Sequence, residues 1–213
     1  MLLERGGVTM QEISDRYKTA AGFAESEFVE RKSKFIGVAA PVETEEEALA
    51  LLAAVRKKHR DARHHVYAYQ IGLQNEIQRQ SDDGEPGGTG GAPLSEILKG
   101  NDLRNTVLIV TRYFGGVLLG VGGLRRAYSQ AAKDALAAAG AAEKILCERV
   151  TVVCGYEKWD AVEREAAKHG FGAPEEVGFS EKVTASFLIE RSRVEEFLKI
   201  MTEVTDGRGE CTL

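Results

Sequence analysis

Thr106-Val107-Leu108-Ile109-Val110-Thr111-Arg112-Tyr113-Phe114-Gly115-Gly116-Val117-Leu118-Leu119-Gly120-Val121-Gly122-Gly123-Leu124-Arg125-Arg126-Ala127-Tyr128-Ser129 runs from a continuous apolar stretch through five glycines into a helical pattern. The stretch Thr106–Thr111 is apolar at nearly every position, as expected of a central strand covered on both faces. Beyond the glycines, Leu124, Ala127, Tyr128, Ala131, Ala135 and Ala138 fall on one helical face, and Gly140 closes the helix. The chain is therefore read as α+β.

Upstream lies a second glycine-rich segment, Ser81-Asp82-Asp83-Gly84-Glu85-Pro86-Gly87-Gly88-Thr89-Gly90-Gly91. Eleven of the chain's 23 glycines fall between Gly84 and Gly123. Glycine costs backbone entropy, so this density calls for left-handed conformations or a close backbone approach. Pro93 at a first helical position and Gly100 just past the end bracket a short helix over Leu94–Lys99. Further upstream, His65–Gly72 and Glu76–Gln80 read as strands joined by a turn, and Phe28–Ser33 with Lys34–Val42 as a hairpin. Between these pairs Thr44 opens a helix, Glu47 completes a capping box, and Ala48, Leu51, Leu52 and Val55 keep helical spacing. Residues 1 to about 20 read as a leader with weak periodicity.

Downstream, strands are expected over Cys147–Tyr156, Phe171–Phe179, Lys182–Glu190 and Glu210–Leu213, with helices over Glu157–His169 and Arg193–Thr205. That order, β-α-β-β-α-β, is the one a ferredoxin-like split fold takes. Two domains are expected, 1–140 and 141–213, with the boundary near Gly140–Lys144.

A chain of 213 residues, 43% hydrophobic and 29% charged, suits a folded soluble protein. The N-terminal residues lack the apolar core of a signal peptide. The longest apolar run, Ala48–Val55, is far short of the ~20 residues of a membrane helix. Cys147, Cys154 and Cys211 form no CxxC pair, and their odd number points to reduced thiols in the cytoplasm rather than a disulfide framework. Residues 1–140 carry 18 basic and 18 acidic side chains, and the remaining 73 carry 10 and 15. The whole net charge of −5 thus belongs to the second part. A strongly basic nucleic-acid binder is excluded, so any RNA contact must use a local patch in the first part.

The candidate chemistry follows from these segments. Gly122 and Gly123 are expected at a helix start, where free N–H groups favour an anion; Gly115 and Gly116 precede them, and Arg112, Arg125 and Arg126 supply cations. The alternative is close helix–sheet packing through small residues. No Gly-Lys-Ser/Thr follows, so this is not a P-loop. Asp82, Asp83 and Glu85, with Thr89 nearby, lie in a turn where such residues commonly fix the backbone. They would alternatively hold a hard cation, or Asp83 or Glu85 would pair with Arg112 or Arg126. The cluster Arg56-Lys57-Lys58-His59-Arg60 either complements a helix C-terminus, at about 0.3–1 kcal/mol per cation, or forms a phosphate-contacting patch with Arg63 and His64. His64 and His65 are adjacent and on a strand point to opposite faces, so they do not jointly make a metal site. No metal, cofactor or serine-nucleophile motif is expected.

These segments resemble the YigZ/Impact family. The resemblance rests on Ser33-Lys34-Phe35-Ile36, Asp61-Ala62-Arg63-His64-His65 through Tyr69, Ser81–Pro86 with Gly88-Thr89, and Thr111–Gly116 through Tyr128. It spans roughly residues 25–140. It implies a first domain like the second domain of ribosomal protein S5, and a second like the last domain of elongation factor G. It further implies translational regulation, with RNA, the ribosome or a translation-related protein as partner. Two positions depart from the family pattern: Leu118 stands where a lysine is common, and Val66 where a cysteine often follows. The first removes a phosphate contact and the second a thiol. A binding protein is therefore favoured over the alternative, an enzyme acting on a phosphorylated small molecule or nucleotide at the glycine-rich surface.

Overall fold

The computed structural model describes residues 14–213, which form two compact units. One comprises Tyr17–Lys144, and the other Ile145–Leu213 with the described residues up to Arg16. The architecture is mixed α and β, as expected.

The first unit is built on a five-stranded antiparallel sheet. Its elements are β1 (Arg16–Ala20), β2 (Ala24–Glu30), β3 (Ser33–Pro41), α1 (Glu45–Lys58), β4 (His64–Ile71), β5 (Ile77–Ser81), α2 (Gly91–Gly100), β6 (Thr106–Tyr113), α3 (Gly120–Ala139) and β7 (Ala141–Ile145). The sheet order is β2-β3-β6-β4-β5. The apolar run is the central strand β6, buried from Thr106 to Arg112. One face, carrying Phe35, Ala39, Val66, Ala68, Leu108 and Val110, is covered by α2 and α3. The other packs Val38, Ala40, Tyr69, Val107 and Ile109 against Ala48, Leu52 and Val55 of α1.

Local chemistry explains the helix ends. The Glu47 N–H donates to Thr44 Oγ1 (3.2 Å), and Glu47 Oε2 accepts from the Glu43 N–H (2.7 Å). Helix α2 begins at Gly91, not Leu94, because the Asp82 carboxylate accepts from the Gly88, Gly90 and Gly91 N–H groups and caps the turn from outside the helix. Pro93 then lies within the first turn, where no N–H is needed. Helix α3 likewise starts at Gly120, two residues before the expected Gly122. Close packing of α3 on the sheet is enforced at Gly37 of β3, where a Cβ would run into the Ala131 carbonyl and lie 3.1 Å from the Ala135 Cβ.

Two strands were not anticipated. Arg16–Ala20, read as part of a leader, is β1, and it pairs with β7, where a domain boundary was expected. Residues 1–13 of that leader lie outside the described residues. Each strand is five residues long, and their pairing is separated by more than a hundred residues of chain, so neither announces itself locally.

The second unit has the order β8 (Cys147–Cys154), α4 (Tyr156–Lys168), β9 (Glu176–Phe179), β10 (Val183–Glu190), α5 (Val194–Val204), β11 (Glu210–Thr212). Its antiparallel sheet runs β11-β8-β10-β9. Alternation along β8 and β10 turns Val150, Val152, Phe187 and Ile189 inward onto Trp159, Val162, Phe197 and Met201 of the helices. The strand expected from Phe171 begins only at Glu176. Phe171 instead packs edge-on against Phe197, with centroids 5.0 Å apart, under the Arg193 guanidinium at 4.3 Å. No helix among the described residues is long and apolar enough to cross a membrane.

The close approach of α3 to β3 makes Gly37→Ala destabilising by about 1–3 kcal/mol. Gly100→Ala, at a position with nothing within 4 Å, stays within about 0.5 kcal/mol of the parent or gains stability. Urea denaturation of the full chain distinguishes the two outcomes.

Candidate functional site

The antiparallel register places Phe35 of β3 and His64 of β4 on either side of Arg112 of β6. All three lie on the sheet face covered by α2 and α3. The loop between β5 and α2 folds over this row and lowers Glu85 onto it. Arg112 Nη1 lies 2.6 Å from Glu85 Oε1, and the two side chains are only 7% and 4% exposed. The Tyr128 hydroxyl of α3 donates to the same Oε1 at 2.8 Å. Burial, then the Glu85 charge and hydrogen bond, push the Tyr128 phenol far above the usual tyrosine range, so it remains a donor.

Arg112 is fixed on its other sides as well. Its guanidinium stands over the rings of Phe35 (5.6 Å) and Phe114 (5.4 Å), and Nη2 donates to Ser33 Oγ at 3.4 Å. Ser33 Oγ also accepts from the Gly115 N–H at 3.2 Å, tying the second glycine segment to the β2–β3 turn. A Cβ at Gly115 would collide with the backbone of Lys32 and Ser33. Here the glycine serves close approach, not an open phosphate cradle.

The neighbouring acids have separate duties. Asp83 Oδ1 accepts from Arg56 Nη2 (2.8 Å), Oδ2 from the His65 N–H (2.7 Å), and its carbonyl from His64 Nδ1 (2.9 Å). His64 Nε2 stands 3.9 Å from Glu85 Oε1. His65 turns to the opposite face, buried against Thr111 Oγ1 at 3.0 Å, and burial holds its pKa below the usual histidine value. Burial of Asp82 opposes its charge, but the N–H groups of Gly88, Gly90, Gly91 and Thr89 outweigh this and keep its carboxyl below the usual range. Thr89 is buried, its hydroxyl on the Pro86 carbonyl at 2.6 Å. Asp82, Asp83 and Glu85 thus face three different sets of donors, and among the described residues no three His, Cys, Asp or Glu side chains are grouped to hold a metal ion.

The two glycine-rich segments do meet, through Glu85 with Arg112 and Tyr128, and through Arg125, which reaches the Gly88 carbonyl at 3.4 Å and Glu96 at 3.1 Å. Arg126 does not join the buried pair. It lines a surface cleft together with Gly123, while Gly116 and Gly122 are exposed. In the cation cluster, Arg56 pairs with Asp83 and Lys58 with Glu25. Lys57, Arg60 and Arg63 are exposed and have no ion pair among the described residues.

Sequence reasoning did not single out Tyr128 and Ser33 as members of this network. The available signal was Tyr128 inside an otherwise alanine-rich apolar stripe, since a buried hydroxyl needs a partner. Oε1 of Glu85 holds two donors in a nearly closed site, so the cluster positions a loop instead of presenting a free base.

Removing one side of the pair strands the other. Glu85→Gln and Arg112→Met should each cost about 3–5 kcal/mol in urea unfolding, with the double variant costing clearly less than their sum. Asp82→Asn should cost about 1–3 kcal/mol at neutral pH. The Asp82 pKa is lowered on folding, so its contribution is present above the unfolded value of about 3.9 and fades as pH falls through the folded value. Stability measured against pH should show the parent and Asp82→Asn curves converging in acid.

The Impact N-terminal domain family model matches residues 31–136, which hold the whole Glu85–Arg112–Tyr128 network. IMPACT family member YvyE of Bacillus subtilis is 37% identical over 194 residues, covering 91% of this chain and 89% of the relative. IMPACT family member YigZ of Escherichia coli is 38% identical over 135 residues, covering 62% of this chain and 66% of the relative. A crystal structure of a hypothetical protein superposes with a TM-score of 0.65 at 29% identity, over 92% of this chain and 96% of the other. With the buried network inside the matched region and similarity extending over most of its length, the chain belongs to the IMPACT family.

Proposed function

We propose that this protein is a translation-associated regulatory protein of the cytoplasm that contacts RNA on the ribosome through the first unit. Family membership supports the translational role, and the carrying observation is the trio Lys57, Arg60 and Arg63. These three cations project from the end of α1 and the turn after it with no ion pair among the described residues, in a part of the chain where the 18 basic side chains, these three included, balance the 18 acidic ones. Arg56 and Lys58 are less available, since Asp83 and Glu25 already hold them.

The domain likenesses belong to the same proposal. The first unit is read as like the second domain of ribosomal protein S5. The second is read as a ferredoxin-like module similar to the last domain of elongation factor G. Support for the latter is its β-α-β-β-α-β order and its sheet order β11-β8-β10-β9. Its excess of acidic side chains suits a protein partner better than RNA.

Co-sedimentation of the full chain with ribosomes across a salt series tests the proposal. Binding at low salt should weaken steeply as salt rises. The triple variant Lys57→Glu, Arg60→Glu, Arg63→Glu should abolish it while leaving thermal stability within a few degrees. Pelleting by the variant equal to that of the parent would sink the RNA contact.

A further inference from the structure

We propose that the cleft between the β2–β3 turn and the first half of α3 binds a small organic phosphate of mononucleotide size. The cleft has a volume of about 390 Å3, within the range of small-molecule sites, about 300–1,000 Å3. It lies wholly within the first unit and apart from the Lys57–Arg60–Arg63 surface.

Its cations are the first argument. Of the three arginines on the second glycine segment, Arg112 is held by Glu85 and Arg125 by Glu96. Arg126 lines the cleft and has no hydrogen bond or ion pair among the described residues. Arg31 lines it from the β2–β3 turn, with only a long 3.8 Å contact to Glu30. Arg31 and Lys32 both take left-handed φ values, 44° and 67°, in a two-residue turn where Asn and Gly are the usual choice. The turn thus accepts a conformational cost that places an arginine at the cleft. Guanidinium groups contributed by two separate elements suit the several oxygens of a phosphate monoester.

The remaining lining restricts the ligand further. Phe28, Leu119 and Ala127 supply an apolar floor, and Gly123 adds no side chain to cover it. Asp134 and Glu30 are the acceptors: Asp134 receives the Gln130 amide at 2.7 Å on one oxygen only. Two cations opposed by two carboxylates give a bare anion little net field. An organic molecule answers both signs, with its phosphate at Arg126 and Arg31, hydroxyl or amino donors at Glu30 and Asp134, and a flat apolar body on Phe28. A nucleoside monophosphate has all three parts.

The test is titration of the isotopically labelled full chain with AMP, adenosine and inorganic phosphate, read by backbone amide resonances. AMP should shift Arg31, Gly123 and Gln130, and adenosine and phosphate should each bind at least about tenfold more weakly. Arg126→Gln should weaken AMP about tenfold or more with an unchanged melting temperature. Lys133→Gln, on the same helix but outside the cleft, should leave affinity as it was. Absence of shifts at the cleft, or AMP affinity unaffected by both Arg126→Gln and Arg31→Gln, overturns the proposal. Ribosome co-sedimentation does not depend on this cleft, so either result there leaves the titration decisive.

Discussion

The buried ion pair between Glu85 and Arg112 is the contact on which the first unit is organised. A pair this enclosed loses much hydration, which the contacts of both Arg112 terminal nitrogens and of Glu85 Oε1 offset, while Arg112 Nε is buried without a hydrogen-bond partner. Tyr128 supplies a second donor to Glu85, while Ser33, Phe35 and Phe114 complete the surroundings of Arg112. Through these partners one carboxylate joins the loop after β5 to the central strand, the β2–β3 hairpin and the long helix α3. Replacement by an apolar pair of similar volume would satisfy the core, but it would not dictate where a glycine-rich loop must lie.

The density of glycine follows from that demand. A side chain at Gly90 would strike Val66, one at Gly91 would crowd the Ser81 backbone, and one at Gly115 would overlap Lys32 and Ser33. At these three positions the backbone must run against another part of the molecule. Gly84 and Gly116 meet a different need, since their φ values of 86° and 82° lie in the left-handed region. A glycine-rich, acid-rich and arginine-rich sequence therefore need not be a phosphate loop. In this protein most of its polar groups face one another: Asp82 its own backbone, Asp83 Arg56 and His65, Glu85 Arg112.

Elements with a strong local signature were legible in the sequence. The Thr44 cap, the apolar run of β6 and the alternation in β8 and β10 appear where periodicity and capping chemistry put them. Features settled by distant partners were not. The β1–β7 pairing joins residues at opposite ends of the first unit, and the start of α2 is fixed by Asp82, outside the helix. The same applies to the site. Sequence offered Asp83 or Glu85 and Arg112 or Arg126 as partners, and only the strand register selects Glu85 with Arg112 by bringing Phe35 and His64 to its flanks. Tyr128 was visible as a core residue, but its hydroxyl gains its role only once the loop is folded over it.

Enclosure of the Glu85–Arg112 chemistry has a consequence for where this protein meets other molecules. An arginine and a glutamate that satisfy each other cannot also hold a ligand without breaking a contact worth more than a surface interaction returns. Recognition must fall to groups the network leaves outside. On the α1 side of the sheet these are Lys57, Arg60 and Arg63; on the α3 side they are Arg126 and the apolar residues around it, with Leu118 82% exposed at the tip of the glycine segment. The two surfaces share no residue: one is the end of α1 and the turn after it, the other the β2–β3 turn and the first half of α3. A polyanion suits the first, which is open and predominantly cationic, with one exposed carboxylate at Asp61; a compact amphipathic molecule suits the second, which is concave and of mixed charge. The buried pair holds both in place, since it fixes the β2–β3 turn and α3 on one face and, through Asp83 of the same loop, the end of α1 on the other.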